Sequence, residues 1–339
     1  MYDLKDILEM LGSKGEEQER LFERARRERS GVFADAAVVR GVIEVTNRCR
    51  INCEYCPMRK DNFRSDNAYL MTREDILEVA GTIRETGIGV VFLQGGEIPQ
   101  TTPLIGSTIS EIKKSGANIE VLLCLGNKKR DEYRFLRNSG ADSYIIKIET
   151  GDPVLHKGLR HASFDSRLRC LSDLLELGFR VGTGIIIGLP GQTLESIAKD
   201  ILLLRSLGVD MASVSPFMPA PNTPLENRPH GSVDITLNAM AVMRLLNPRW
   251  LIPSVSALEK LSAGGQLRGM EAGANVLTIN FTPSKAKEKY LIYGKDRCVT
   301  SREHVFDILK RAGLTHRPAA AASRLPAGGS ACGPLRETG

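Results

Sequence analysis

Six times along this chain a helical pattern ends in glycine, and a β-rich run follows within about two residues. The glycines are Gly87, Gly116, Gly140, Gly178, Gly208 and Gly273; the runs after them cover 90–93, 119–123, 144–148, 181–187, 212–214 and 276–279. A helix that must reverse into a strand needs a residue tolerant of positive φ, so each glycine reads as a helix C-cap. The runs are continuously apolar rather than alternating, as expected of parallel strands covered on both faces. Adding the runs 41–46 and 251–255, where Pro248 takes the place of the glycine stop, brings the strands to eight. Eight α-to-β alternations predict an α/β fold of the (βα)8 TIM-barrel type; a doubly wound open sheet is the rival, since strand number alone does not prove closure. In both architectures ligands gather at the C-terminal ends of the strands.

Residues 1–38 read as a helical extension, 39–314 as the barrel, and 315–339 as a disordered tail. The tail is small-residue, Pro/Gly-rich and aperiodic, so it cannot bury enough surface to order itself, and its Cys332 is expected to take no part. With 339 residues, 42% of them hydrophobic, the rest of the chain can bury a substantial core. No apolar stretch approaches the roughly 20 residues a membrane span requires. The N-terminus alternates charges and lacks an apolar run with a small-residue cleavage site, so the cytoplasm is the expected compartment. Seven cysteines, odd in number and unevenly spread, argue for reduced thiols and metal ligands rather than a disulfide framework. The net charge of +6 does not mark a nucleic-acid binder, because lysines and arginines are scattered and aromatic residues make up 5%. The arginine-rich stretch 24–29 alternates with Glu23 and Glu28, and is expected to form a solvated helix face.

Immediately after the first expected strand stand Cys49, Cys53 and Cys56, with Tyr55 before the third. Three thiolates on a loop at a strand C-terminus can ligate three irons of a 4Fe-4S cubane and leave the fourth without a protein ligand, open to a small molecule. Structural zinc is the bland alternative; it usually takes four ligands in paired spacings, and no matching fourth Cys or His lies nearby.

The motif and its setting resemble the radical S-adenosylmethionine (SAM) superfamily, in which a partial or complete βα barrel carries the cluster loop after its first strand. The resemblance implies one 4Fe-4S cluster held by Cys49, Cys53 and Cys56, and SAM bound at the open iron, where an electron breaks the bond from sulfur to C5′. It implies a small-molecule substrate, reduced ferredoxin or flavodoxin as electron donor, and neither a membrane nor nucleic acid as partner. Gln94-Gly95-Gly96-Glu97 looks like the family's Gly-Gly-Glu motif, whose backbone and acid receive the amino group of SAM. Glu149 and Arg167 match the family's ribose and carboxylate contacts. The segment 185–193, with Ile187 and Gly188, resembles the strand that lies against adenine.

Within the superfamily the chain resembles the subgroup of the diiron-hydrogenase maturase HydE, biotin synthase and methylornithine synthase, from about Leu21 to Leu314. The maturase carries Arg-His-Glu-Thr where this chain has Lys147-Ile148-Glu149-Thr150, and Leu-Gly-Glu where it has Leu125-Gly126-Asn127. A changed cavity implies a changed substrate, with Asn127, Lys147, Thr183 and Ser215 as its expected contacts. Cys298 stands where the maturase's optional second-cluster motif begins, but the other two cysteines are missing. Where biotin synthase holds its sulfur-donating cluster, this chain offers Leu122, Gly182 and Ser254, which disfavours sulfur insertion by that route. Cys124 shares the side of Leu122 and is expected to face the cavity, and Cys170 reads as a small buried hydrophobe. Three readings follow: a maturase-like radical SAM enzyme first, a related sulfur-inserting or carbon-skeleton-rearranging enzyme second, and a non-catalytic cluster carrier third. The third is disfavoured because a carrier needs no carboxylate or ribose contacts.

Overall fold

The α-to-β reversals take one local form. In the computed structural model, which describes residues 2–115, 118–294 and 297–317, Gly87, Gly140, Gly178, Gly208 and Gly273 all have positive φ; Gly116 lies outside the described residues. The strands are β1 (Ala36–Thr46), β2 (Val90–Gly95), β3 (Glu120–Cys124), β4 (Ser143–Ile145), β5 (Arg180–Ile187), β6 (Met211–Pro216), β7 (Val276–Asn280) and β8 (Thr315–His316). They run parallel in the order β6-β5-β4-β3-β2-β1-β7.

The two edges of this ribbon are joined by residues 251–253. Leu251 bridges Met211 of β6 and Pro253 bridges Val276 of β7, with Leu251 N–H donating to Asp210 O (3.1 Å) and Ser254 N–H to Val276 O (2.9 Å). Residues 251–253 therefore supply the eighth position of a ring, which decides between barrel and open sheet. The expected run 251–255 is reduced to these bridges because Pro253 has no N–H to give a ladder and the helix Ser256–Leu261 begins at once.

The final strand corrects the expected boundary of the tail. Thr315 and His316 pair with Ala36 and Ala37 of β1, so order continues past Leu314; residues 318–339, Cys332 among them, lie outside the described residues. The barrel also starts earlier than expected, at Ala36.

Alternation along the strands sorts the core. Val39, Ile43, Leu93, Val121, Leu123, Val181 and Ile185 face the surrounding helices, while Val38, Val42, Val90, Phe92, Leu122, Met211 and Val276 plug the barrel interior. Each such side chain contributes about 1.5–3 kcal/mol relative to exposure. A one-residue slip of β1 would turn Arg40 and Glu44 out among the helices, so the register is fixed.

Helices α1 (Leu4–Gly12) and α2 (Glu16–Phe33) pack on the helices Leu194–Ser206 and Val233–Leu246, burying Ile7, Leu11 and Phe22 completely. One arginine of the stretch 24–29 departs from the expected solvated face: Arg29 is buried and donates to Met270 O (2.6 Å) and Ala274 O (3.1 Å). Among the described residues no helix is long and apolar enough to cross a membrane.

Candidate active site

At the C-terminal end of β1 the register with β2 shifts between Glu44 and Thr46, and the chain leaves the sheet as the cysteine loop. The end of β2 braces that loop. Gly96 N–H donates to Thr46 O (3.2 Å), Arg50 N–H to Glu97 O (3.0 Å) and Glu97 N–H to Cys49 Sγ (3.4 Å). A Cβ on Gly96 would fall 2.0 Å from Arg48 O and 2.9 Å from Cys49 Cβ, so only glycine lets the two segments approach this closely. Farther along, Lys60 N–H donates to Ile51 O (3.0 Å) and closes the loop.

Cys49, Cys53 and Cys56 line one end of a cavity of about 390 Å³ that opens at the C-terminal strand ends. Burial raises the pKa of Cys53 and Cys56, and the neighbouring thiols raise both further. Burial thus favours the protonated form of Cys53 and Cys56, and a positively charged group such as iron is what would draw off their protons and make ligands of them. Among the described residues no three His, Cys, Asp or Glu side chains converge as the ligands of one ion would; cubane ligands each hold a different iron and stand farther apart. The donor set fits a three-cysteine cluster.

Beside the thiols lie buried acids and cations in alternation. Glu97 accepts from Asn127 N–H (2.8 Å) and from Arg50 (3.2 Å). Glu149 follows β4 with φ of 65°, an uncommon conformation for a non-glycine residue and one that marks functional turns. Tyr55 Oη donates to its Oε1 (3.0 Å), and Lys147 Nζ stands 3.3 Å from its Oε2. Burial would push the Glu149 carboxyl up, but Lys147, Arg160 and Arg167, with the Tyr55 hydroxyl, hold it below the usual range. Burial likewise disfavours the Arg160 cation; Tyr55, Cys53, Glu149 and Glu97 outweigh it and raise its pKa. Arg160 Nε and Arg167 Nε are buried without a hydrogen-bond partner. Two unsated guanidinium donors beside two carboxylates suit a ligand carrying both a carboxylate and an ammonium group, which is the methionine end of SAM.

Lys147 Nζ also donates to Ser215 Oγ (3.1 Å), and both line the cavity with Cys124, as expected. Burial, then Glu149, pushes the Cys124 thiol up to about 11. Cys170 is buried in the outer core, and Cys298 lines the far cavity wall. The expected Tyr55, Gly95, Gly96, Glu97, Glu149 and Arg167 all reach the cavity wall.

Four expected residues do not. Thr183 faces outward between Val181 and Ile185, where its hydroxyl accepts from Ile148 N–H (3.2 Å) and replaces a ladder acceptor where β4 ends. Ile187 points to the same outer core, and Ile186 is the isoleucine that faces the cavity. Gly188 turns away, its N–H bonded to Gln192 Oε1 (2.8 Å). Asn127 serves through its backbone N–H on Glu97 rather than as a cavity side chain. Arg160 and Arg40 were missed. Arg160 ends the helix Pro153–Arg160 that follows β4, opened by Asp152 as N-cap with Pro153 after it. Arg40, buried in the cavity wall, bonds to Met211 Sδ (3.2 Å); its signal is a lone arginine inside an apolar strand.

A model of the Radical SAM superfamily matches residues 43–204. The chain is 39% identical over 287 residues to the [FeFe] hydrogenase maturase subunit HydE of Thermotoga maritima, covering 84% of this chain and 82% of that one. It is 30% identical over 298 residues to 3-methylornithine synthase of Methanosarcina barkeri, covering 87% and 83%. Among solved structures, methylornithine synthase superposes with a TM-score of 0.83 at 24% identity over 94% of this chain and 95% of that one. The hydrogenase maturase HydG does so with 0.79 at 19% identity over 96% and 74%. These structural likenesses carry the fold.

Proposed function

Because the chain belongs to the radical SAM superfamily, we propose that it is a HydE-like maturase, cleaving SAM reductively to act on a small substrate inside the barrel. The observation that carries this reading is the meeting of three thiols, two buried acids and two arginines with unpartnered Nε groups at one end of a cavity at the C-terminal strand ends. Cys49, Cys53 and Cys56 would hold the cluster. Glu97 with the Gly95-Gly96 backbone would receive the amino group of SAM, Arg160 and Arg167 its carboxylate, and Glu149 the ribose hydroxyls. When bound, cluster and SAM together supply a 5′-deoxyadenosyl radical, formed as one electron cleaves the sulfur–C5′ bond.

The chain's own residues set the conditions for that chemistry. Tyr55 fixes the Glu149 carboxylate by its hydroxyl, and Lys147 keeps it ionised, so it accepts hydrogen bonds rather than giving them. Ile186, Phe217 and Met218 wall the cavity with apolar surface and exclude water that would quench a radical. Lys147 and Ser215 face the space left for the substrate, and a reduced ferredoxin or flavodoxin would supply the electron. Similarity to 3-methylornithine synthase over most of both chains supports carbon-skeleton rearrangement as the second reading. Sulfur insertion is disfavoured, since Leu122 and Gly182 offer no ligand and the Ser254 hydroxyl is bonded to Gln266 O (2.7 Å).

The test is anaerobic reconstitution of the cluster, addition of SAM and dithionite, and chromatography for 5′-deoxyadenosine. Cys53→Ala should lose both the cluster's visible absorption and the product. A protein with an intact cluster that forms no 5′-deoxyadenosine would refute the reading.

A further inference from the structure

The cysteine loop has a second face. Outside it lies a shallow dimple of about 40 Å³ that shares Cys49, Pro57 and Met58 with the main cavity. The same three residues thus form a thin partition, with the cavity on one side and solvent on the other.

The rim of the dimple is cationic. Arg64 donates only to the backbone carbonyls of Asp61 (3.4 Å) and Phe63 (2.9 Å), and Lys289 only to that of Asp66 (3.4 Å). Arg48 and Lys60 beside them are exposed. Among the described residues none of these four cations is ion-paired. Of the acids nearby, Arg59 stands 3.8 Å from Glu54 and 3.4 Å from Asp61, which leaves Asp66 and the exposed Glu288 against the four cations. In the middle of the cations Phe63 is 49% exposed, an apolar contact of the size a brief encounter needs.

We propose that this dimple is the docking face of the electron donor, a small acidic one-electron carrier protein. The proposal rests on the reading that Cys49, Cys53 and Cys56 hold the cluster. Electron transfer falls steeply with distance, so a donor must seat where little protein separates it from the acceptor; here Cys49 itself lines both the cavity and the dimple. Unneutralised cations steer an acidic partner and raise its rate of encounter. A single exposed aromatic suits the small interfaces of transient electron-transfer complexes. One electron leaves the reduced carrier, and the sulfonium of SAM takes it up as methionine and the 5′-deoxyadenosyl radical form.

The experiment compares the full chain with Arg64→Glu/Lys289→Glu and, separately, Lys60→Glu, whose exposed side chain carries no structural bond. Oxidised flavodoxin is titrated into each by calorimetry at low and high salt, and reduced flavodoxin or dithionite then drives 5′-deoxyadenosine formation. The double variant should bind flavodoxin at least about tenfold more weakly at low salt, with a flattened salt dependence, and need correspondingly more reduced flavodoxin for half-maximal rate. Lys60→Glu should shift both in the same direction, and the dithionite rate should stay within about twofold in every variant. Unchanged flavodoxin affinity and half-saturation in both variants would overturn the docking face. So would a parent chain that ignores flavodoxin yet binds a short DNA duplex in a salt-sensitive manner that the variants lose. If dithionite yields no product in the parent, the proposed function fails, while the calorimetric comparison still decides where the carrier binds.

Discussion

Asp200 supports the turn that presents Glu149. Its Oδ1 accepts from Gly151 N–H (2.7 Å), its Oδ2 is buried without a hydrogen-bond partner, and burial pushes its carboxyl up to about 6. With a folded-state pKa above the unfolded one, the native state binds the extra proton, so stability falls as pH rises from about 4 to about 6 and stays lower above that. Asp200→Asn removes the ionisation and should stabilise the protein by about 1–3 kcal/mol at pH 8 and by almost nothing at pH 4, as measured by urea unfolding. A gain of equal size at both pH values would contradict this account. The residues that the sequence places at the cavity wall are those whose chemistry is rare: the three cysteines, Glu97, Glu149 and Lys147. Thr183 and Ile187 were misplaced because the run Val181-Gly182-Thr183-Gly184-Ile185-Ile186-Ile187 has no clear polar alternation. A strand buried on both faces hides the phase that decides which side chains point inward. Arg160 escaped because its helix brings it back to the cavity from a position that spacing does not reveal.

At the scale of elements, the helix Val233–Leu246 controls the closing segment through one side chain. Arg244, fully buried, donates to Gly273 O (2.8 Å), Pro248 O (2.7 Å), Trp250 O (2.8 Å) and Asn275 Oδ1 (3.0 Å). Trp250 Nε1 in turn donates to Val209 O (2.8 Å), so the segment that joins β6 to β7 is pinned from both sides. Arg244→Met fills similar space but leaves three carbonyls without their donor, and should lower unfolding free energy by about 3–5 kcal/mol. A loss below about 1 kcal/mol would show that water or neighbouring groups replace the guanidinium. The glycine stops made six of the eight ring positions legible, and the run 41–46 added the first. The seventh in chain order was legible only as an apolar run, because the proline that interrupts its ladder is compatible with either a strand or a turn.

For the whole molecule, α1 and α2 act as part of the core rather than as an appendage. Ile7, Leu11 and Phe22 are sealed against the barrel's outer helices, and Gln18 reaches Asn238 (2.9 Å) while Asn238 holds Leu11 O (3.0 Å). Deleting residues 2–33 would uncover a continuous apolar surface. The deleted protein should partition to the insoluble fraction or bind a hydrophobic dye strongly, whereas a soluble, cooperatively unfolding product would refute this view.

The short bridge at residues 251–253 has a further effect. A seven-stranded ribbon would present two rows of unpaired amides and carbonyls, each a template onto which a strand of another chain could add. Leu251 covers one edge and Pro253 the other, and Pro253 has no N–H to offer an incoming strand. Three residues thus guard the protein against joining its own copies edge to edge, and the bonds that hold them in place, those of Arg244 above all, protect its solubility as well as its shape.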